Sequence, residues 1–279
     1  MRSRAGRAVV QGVGVVAGIL VVWQLASMLL GSTSGSGIST VPSPSEAFSA
    51  FPELSAYWTG GFGLEAPALT SGDSFGNALL GLLQNGVATI YRLVLGVSIG
   101  LIVGVGLGVL VTWSRTLRET VAPLAHFARM MPLLAMLPLF GLWFGPTNLG
   151  VIVFVAFSVF VVLFVVTINA IENVPNFYSS YARSLGCDGA RMRLSVVLPA
   201  ALPEIRGGIL LAMGFAWSAV IAGEFLGQES GLGRIIQRAG YFSQTDLLAL
   251  MGVLTVIAAG ITFALVSWGL SWATRWVEE

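Results

Sequence analysis

The side chains that could carry chemistry are few in this sequence, and their types argue against most enzymatic reactions. The chain has one cysteine, Cys187, and one histidine, His126, and all fourteen basic residues are arginine. The sequence contains no lysine. It therefore lacks the lysine that a P-loop places on the phosphates and the side-chain amine that Schiff-base chemistry requires. A single cysteine and a single histidine predict no zinc site and no intrachain disulfide. The sequence therefore favours a function that does not depend on catalysis within this chain.

The elements that position these residues are predicted to lie in lipid. Hydrophobic residues make up 56% of the sequence and charged residues 10%, with a mean hydropathy of +0.86, whereas a soluble domain carries about 25% charged residues. A spanning helix needs about 20 apolar residues, so the apolar runs predict an all-α polytopic membrane protein with about six transmembrane helices. The runs are 8–30, 86–112, 123–144, 149–171, 200–225 and 247–268.

The connections between the runs predict the domain organisation. Residues 1–75 are expected to form an N-terminal transmembrane helix and an external loop, and residues 76–279 a core of about five spans. We expect Pro132 and Pro138 to break the third run, since proline removes a backbone hydrogen bond. Residues 113–122 predict a short polar turn, and residues 227–246 an arginine-bearing loop.

The arginines predict the orientation in the membrane. With six crossings, both termini lie on the same side as the connections 113–122 and 172–199, and this side carries most of the arginines of the loops. The opposite loops carry Arg234 and Arg238. Because arginine-rich loops mark the cytoplasmic face, we expect a multi-pass protein of the inner (plasma) membrane with both termini and residues 172–199 in the cytoplasm.

Glycines in the second run predict close helix packing. Gly96, Gly100, Gly104 and Gly108 recur every four residues and therefore share one helix face. In lipid, such ladders of small residues let two helix backbones approach closely. The alternative is that they only reflect a chain with 35 glycines.

Ionisable and adaptable side chains within the runs are candidates for a translocation path. Intramembrane charges are costly and are usually paired or functional, so Arg92 and Glu224 are expected to pair with each other, to line an outer gate or to contact an external protein. Met131, Met136 and Trp217 are further candidates for the path, with helix packing as the alternative for each.

The polar hairpin at 172–199 predicts a docking element between two apolar runs. Asn173 or Asn176 is expected to cap a short helix, and Phe177, Tyr181 and Leu185 follow at helical spacing, so that one face is apolar and aromatic. Gly186 fits the left-handed residue that ends such a helix, and Asp188 is expected to cap a second turn. Such a helix docks into a groove of a partner or lies in the lipid headgroups.

The hairpin resembles the cytoplasmic "EAA" loop of ABC importer permeases. That pattern reads Glu-Ala-Ala, three residues, a glycine, nine residues and Ile-x-Leu-Pro. Ser180 stands here at the position of the glutamate, which is a departure from the family. The other matched positions are Tyr181, Ala182, Gly186, Val196, Leu198 and Pro199.

The wider sequence is similar to the nitrate, taurine and alkanesulfonate branch of these permeases from about residue 8 to residue 270. Several segments carry that similarity in the order of the branch. They are Val41-Pro42-Ser43-Pro44-Ser45, Thr89-Ile90-Tyr91-Arg92-Leu93-Val94-Leu95-Gly96, Met131-Pro132, Leu142-Trp143-Phe144-Gly145, Leu198-Pro199-Ala200-Ala201-Leu202-Pro203, Gly223-Glu224-Phe225-Leu226-Gly227 and Ser230-Gly231-Leu232-Gly233.

The resemblance implies a type I ABC importer permease fold, with 172–199 as the loop that couples the permease to a separate ATP-binding subunit. It also implies a homodimeric ATPase that carries ATP and magnesium, a second permease copy and an extracytoplasmic substrate-binding protein, and neither a nucleic acid nor a cofactor or metal on this chain. The residues expected to mediate coupling are Phe177, Ser180, Tyr181, Ala182, Leu185, Gly186, Asp188, Arg191, Leu198 and Pro199.

The resemblance also implies a small anionic or sulfur- or nitrogen-containing substrate such as a sulfonate, taurine or nitrate. Residues alone leave an alternative, a self-contained secondary transporter or channel. Against it, the apolar runs show neither a convincing inverted repeat nor a chain of buried carboxylates.

Overall fold

The structure, a computed structural model, describes residues 2–30, 40–60 and 74–275. For residues 2–13 it describes the backbone alone, and from residue 14 onward it also describes the side chains. These residues form helices and no strands. Backbone contacts divide the chain into a first unit, residues 1–86 and 235–256, and a second unit, residues 87–234 and 257–279. The residues proposed for coupling and for the translocation path all belong to the second unit.

Eleven α-helices, a 3₁₀ helix and a π-helical turn make up the described ranges. The 3₁₀ helix is Phe51–Tyr57, and the π-helical turn Arg193–Val197 joins α8 to α9. The α-helices are α1 Arg2–Leu30, α2 Pro44–Ser49, α3 Phe75–Thr112, α4 Arg115–Met130, α5 Leu133–Phe144, α6 Asn148–Glu172, α7 Asn176–Ser184, α8 Gly189–Met192, α9 Leu198–Glu224, α10 Leu232–Tyr241 and α11 Thr245–Ala273.

In the first unit, local hydrogen bonds hold the segment that follows α1. Ser43 forms a capping box with Glu46, in which each side chain accepts a hydrogen bond from the other residue's backbone N–H. The buried Asn85 side chain donates to the Tyr57 carbonyl oxygen at 3.1 Å. Gly81 approaches so closely that a Cβ atom there would lie 2.4 Å from the Leu54 carbonyl oxygen, which ties the beginning of α3 to the 3₁₀ helix.

In the second unit, α6 is the central helix. It is buried along most of its length and packs against α4, α5 and α9. Phe140 of α5 lies edge-on against Phe154 of α6 with ring centroids 5.1 Å apart, and Ala125 of α4 packs against Phe164 and Ile168. The functional elements described below are therefore arranged around one buried apolar helix.

The glycine face of α3 lies directly against α6. A Cβ atom added at Gly96 would lie 2.6 Å from the Val155 side chain, and one at Gly100 would lie 2.6 Å from the Ala156 carbonyl oxygen. Gly104 and Gly108 make the corresponding approaches to Leu163 and Thr167. Contacts this short leave no room for any side chain between the two backbones.

Four described helices are long and apolar enough to cross a membrane, or five if α4 and α5 are counted as one bent span. The four are α3, α6, the continuous run Gly189–Glu224 and α11. The described side chains of α1, Gly14–Leu30, form a shorter apolar helix. The chain is thus the helical membrane protein that its composition predicts, although the six predicted spans exceed the four or five that these helices satisfy.

Several local predictions were wrong because helices continue through polar residues. Helix α4 begins at Arg115, so the predicted turn 113–122 is reduced to Trp113 and Ser114. The predicted loop 227–246 contains α10. The third run is broken by a 94° bend between Met130 and Leu133, at Pro132, whereas Pro138 lies inside α5 without breaking it.

Candidate functional site

The hairpin at 172–199 contains the predicted short helix, α7, and a glycine ends it. Gly186 has a φ of +77° and donates its N–H to the Arg183 carbonyl oxygen at 2.9 Å, while the Cys187 N–H reaches the Ala182 carbonyl oxygen at 3.0 Å. This pair of bonds is the Schellman motif, which requires a left-handed residue at the position of Gly186. The turn therefore depends on the conformational freedom of that glycine.

The predicted caps of this segment differ from the observed ones. Pro175 occupies the N-cap position of α7, and no side chain caps the helix there. Asn173 lies before it and donates its side-chain amide to the Glu204 carboxylate at 2.9 Å. Asp188 does stand at the N-cap position of α8, without a side-chain hydrogen bond to that helix.

The apolar face of α7 is largely exposed. Phe177 is 70% exposed, Tyr181 61% and Leu185 71%, and the rings of Phe177 and Tyr181 are stacked with centroids 6.1 Å apart. An open cavity of about 410 Å³ lies along this face. Its lining is Phe177, Tyr178, Tyr181, Ala182, Leu185, Cys187 and Val196, and we call this set the docking groove.

Polar contacts hold the ends of the hairpin to the neighbouring helices. Arg193 donates to the carbonyl oxygens of Thr112 and Trp113 and lies over the Trp113 ring at 5.8 Å. Arg118 of α4 pairs with Glu172 at 3.0 Å. Leu198 packs beside Ala170, Ala201 and Ile205, and Pro199, Ser180 and Arg191 lie outside the docking groove. The hairpin is therefore fastened at its base, while its apolar face is uncovered.

Arg92 and Glu224 lie at a second site and pair with each other. The Arg92 Nη1 atom is 2.7 Å from Glu224 Oε1, and the two residues are 2% and 0% exposed. Arg92 also donates from Nε to Asn148 Oδ1 at 2.8 Å, from Nη1 to the Ser230 carbonyl oxygen at 2.7 Å and from Nη2 to Ser230 Oγ at 3.0 Å. All three guanidinium nitrogens thus donate within a buried site.

The carboxylate of Glu224 is equally well bonded. It accepts hydrogen bonds from the Thr89 hydroxyl at 2.8 Å and from the Gly233 N–H at 2.8 Å, and the Leu232 N–H donates to Thr89 Oγ1 at 2.9 Å. A Cβ atom at Gly231 would lie 2.3 Å from the Glu224 carboxylate carbon. The glycine at that position therefore makes room for the carboxylate. We call Thr89, Arg92, Asn148, Glu224, Ser230 and Gly233 the ion-pair network.

The other candidates for a translocation path lie elsewhere in the second unit. Trp217 is buried and donates its indole N–H to Thr262 Oγ1 of α11 at 2.8 Å, a contact between packed helices. Met136 is half-buried within α5. Met131 is at the bend between α4 and α5 and lines a cavity of about 280 Å³.

Sequence reasoning missed Arg129, which lines the same cavity as Met131. It is exposed and forms no ion pair or hydrogen bond with the part of the chain that the structure describes. The available signal was an arginine inside a predicted span, two residues before the Met131-Pro132 break. Such a charge is a functional candidate by default.

The apolar helices and the broken span define a helical membrane protein with an exposed apolar helix between two candidate spans. Comparison with known families matches residues 96–279 to the binding-protein-dependent transport system inner membrane component family. The match covers well over half of the chain, and the chain belongs to this family.

Individual relatives agree with that assignment. The chain is 30% identical over 252 residues to the putative aliphatic sulfonates transport permease protein SsuC of Bacillus subtilis, covering 88% of this chain and 82% of that protein. It is 29% identical over 265 residues to the bicarbonate transport system permease protein CmpB of Synechococcus elongatus, covering 94% and 87%. The predicted resemblance to the sulfonate branch is thereby confirmed.

A solved structure agrees on the fold. The inward-facing MetNI methionine ABC transporter matches with a TM-score of 0.55 at 20% identity, over 70% of this chain and 95% of that one. At this identity the likeness concerns the fold alone, and it confirms the predicted importer permease fold. As a member of the inner membrane component family, the chain is a transport subunit.

Proposed function

We propose that this chain is the inner-membrane permease of an importer for small anions and that the docking groove couples it to a separate ATP-binding subunit. The observation that carries the coupling role is the exposed aromatic face of α7, which lies between the candidate spans α6 and Gly189–Glu224. A contiguous exposed apolar surface, on a helix whose ends are held in place by neighbouring helices, is typical of a protein interface.

The groove suits a partner with a protruding apolar side chain that fills it, or a partner with a cleft that accepts the apolar face of α7. Its rings are rigid, so little conformational entropy is lost when a partner covers them, and aromatic residues commonly carry most of the energy of an interface. The hydrogen bonds of Arg193 and the Arg118–Glu172 pair hold the base of the hairpin, so a force on α7 is transmitted to α3, α4 and α6.

The partners follow from the family resemblance. They are a homodimeric ATP-binding subunit that carries ATP and magnesium, a second permease copy and an extracytoplasmic binding protein. With both termini and 172–199 in the cytoplasm, the ATP-binding subunit approaches from inside the cell. Sulfonate and bicarbonate in the names of the relatives support a small anion as substrate.

The single cysteine provides a direct test, because Cys187 lines the docking groove and is partly exposed. A membrane-impermeant maleimide should label Cys187 in inside-out vesicles and not in right-side-out vesicles. Binding of the ATP-binding subunit should then slow the labelling several-fold, since docking excludes the reagent from the groove.

A matched control places the reactive thiol elsewhere on the same side. In a Cys187→Ser background, Thr116→Cys puts a cysteine at an exposed position of α4 outside the groove. Its labelling should not change when the ATP-binding subunit binds. Equal protection of both thiols, or of neither, would contradict docking at the groove, and labelling of Cys187 from outside would contradict the orientation.

A further inference from the structure

The bend between α4 and α5 opens a cavity of about 280 Å³ against α6 and α9. Most of its lining is apolar and comes from Met131, Phe157, Leu211 and Phe215. Ligand pockets commonly occupy roughly 300–1,000 Å³, so this volume suits a solute of only a few heavy atoms.

The cavity lies close to half height along both packed spans. It touches α6 at Phe157 and Ser158, about 15 Å from the beginning of that helix at 1.5 Å per residue. On α9 it touches Leu211 and Phe215, close to the middle of Leu198–Glu224. A hydrocarbon core is about 30 Å thick, so a cavity at this level is far from both membrane surfaces. Broken helices at this depth commonly form binding sites in transporters.

Arg129 places a positive charge at this cavity. Three other arginines have carboxylate partners: Arg92 pairs with Glu224, Arg115 with Glu119 and Arg118 with Glu172. Arg206 of α9 donates to the hydroxyls of Ser271 and Thr274. Among the described residues, Arg129 pairs with none. Its position in the last turn of α4 favours a cation through the helix dipole, but this partial charge does not replace a counter-ion.

We propose that this cavity is the point in the translocation path where the anionic group of the substrate pairs with Arg129. The inference rests on the proposed function as an importer of small anions. The planar guanidinium donates two parallel hydrogen bonds to the oxygens of a sulfonate or carboxylate, and the short apolar part of the solute contacts Met131, Phe157 and Phe215. A substrate anion thus supplies the counter-charge that the described chain lacks.

The first test measures the charge preference of the cavity without transport. Met131→Cys in a Cys187→Ser background places a thiol in the lining beside Arg129. Two methanethiosulfonate reagents of similar size are compared in membranes, one carrying a sulfonate and one a trimethylammonium group, with each rate divided by the rate of that reagent with free cysteine. The sulfonate reagent should react about tenfold faster, because a nearby positive charge attracts it.

Variants of Arg129 decide whether that charge is the cause. Arg129→Gln should abolish the preference and Arg129→Lys should retain most of it. Arg115→Gln, which removes an exposed arginine of the same helix, should leave the preference unchanged. If the wild-type cavity shows no preference, or if Arg129→Gln preserves it, the proposal is overturned.

A second measurement connects the cavity to transport. In proteoliposomes with the ATP-binding subunit and the binding protein, Arg129→Gln should lower uptake of an aliphatic sulfonate at least tenfold while stimulation of the ATPase by the loaded binding protein persists. If the Arg129→Gln variant takes up the sulfonate at the wild-type rate, the proposal is contradicted. Lack of uptake by the wild type would count against the proposed function alone, because the reagent preference does not depend on transport.

Discussion

The ion-pair network and the docking groove distribute polar and apolar groups in opposite ways. In the network, two charged side chains are 2% and 0% exposed, and every nitrogen of the guanidinium donates to an acceptor. In the groove, Phe177, Tyr181 and Leu185 are each more than 60% exposed. The first site is complete within the described chain, whereas the second presents apolar surface that the described chain leaves uncovered.

The comparison distinguishes two unfavourable arrangements that the fold retains: buried charges in the network and exposed aromatic side chains in the groove. A buried charge is tolerated when the remaining hydrogen bonds are satisfied, and its loss then damages the fold. An exposed aromatic face costs little in the folded chain, and its loss affects association instead. We therefore expect substitutions in the network to change stability and substitutions in the groove to change coupling.

The largest expected effect is the removal of one partner of the ion pair. Glu224→Gln leaves the Arg92 charge buried without its carboxylate, which should lower the free energy of unfolding by about 3–5 kcal/mol. Thermal unfolding of the purified permease, followed by tryptophan fluorescence, measures the change.

The control is the exposed pair of Arg115 and Glu119, whose side chains are 84% and 59% exposed. Arg115→Gln should cost less than about 1 kcal/mol. The double variant Arg92→Gln with Glu224→Gln should be less destabilised than the sum of its single variants, because the two residues interact directly. Strict additivity would mean that the two groups act independently.

A charge in the docking groove should uncouple transport without unfolding the permease. Tyr181→Asp buries a carboxylate without a partner when α7 docks, at a cost of about 3 kcal/mol or more, which corresponds to at least about a hundredfold weaker association. Uptake in proteoliposomes measures the loss of transport, and co-purification of the ATP-binding subunit measures the loss of association.

Asn176→Asp is the matched control, since it adds the same charge at an exposed position of α7 outside the groove lining. It should support near wild-type uptake. Similar losses in both variants would indicate that added negative charge on α7, and not the apolar face, causes the defect.

The smallest expected effect concerns the turn at Gly186. No atom lies within 4 Å of a Cβ added there, so a substitution tests the positive φ and not the available space. Gly186→Val should disfavour the left-handed conformation by about 1–2 kcal/mol and reduce uptake moderately, whereas Gly186→Asn, which adopts this conformation more readily, should be nearly neutral. Equal uptake by the two variants would separate coupling from the geometry of this turn.

The sequence predicted the helical membrane class and the short helix α7 because both depend on local patterns. Long apolar runs require a lipid environment, and the spacing of Phe177, Tyr181 and Leu185 before a glycine is itself the signal of an amphipathic helix with its end. The starts of α4 and α10 were missed because polar amphipathic helices resemble loops when only apolar runs are sought.

The sites formed by distant residues could be predicted only in outline. Arg92 and Glu224 are 132 positions apart, and pairing was one of several possibilities until the fold brought them together. Their bonds to Asn148, Ser230 and Gly233 involve ordinary polar groups with no local signature. Arg129 was missed for a related reason, since its significance depends on a bend that brings it to α6 and α9.

The glycine contact of α3 with α6 also limits how the two helices can move. A screw motion of one helix by a single residue, about 1.5 Å along the axis with a rotation of about 100°, would bring Ile99 or Leu101 toward the Ala156 carbonyl oxygen, where even a Cβ atom has no room. The next allowed register is four residues away, a step of about 6 Å. The two helices should therefore move together as one rigid body during a transport cycle. We expect the motion itself to come from bending at Pro132 and from tilting of whole helices.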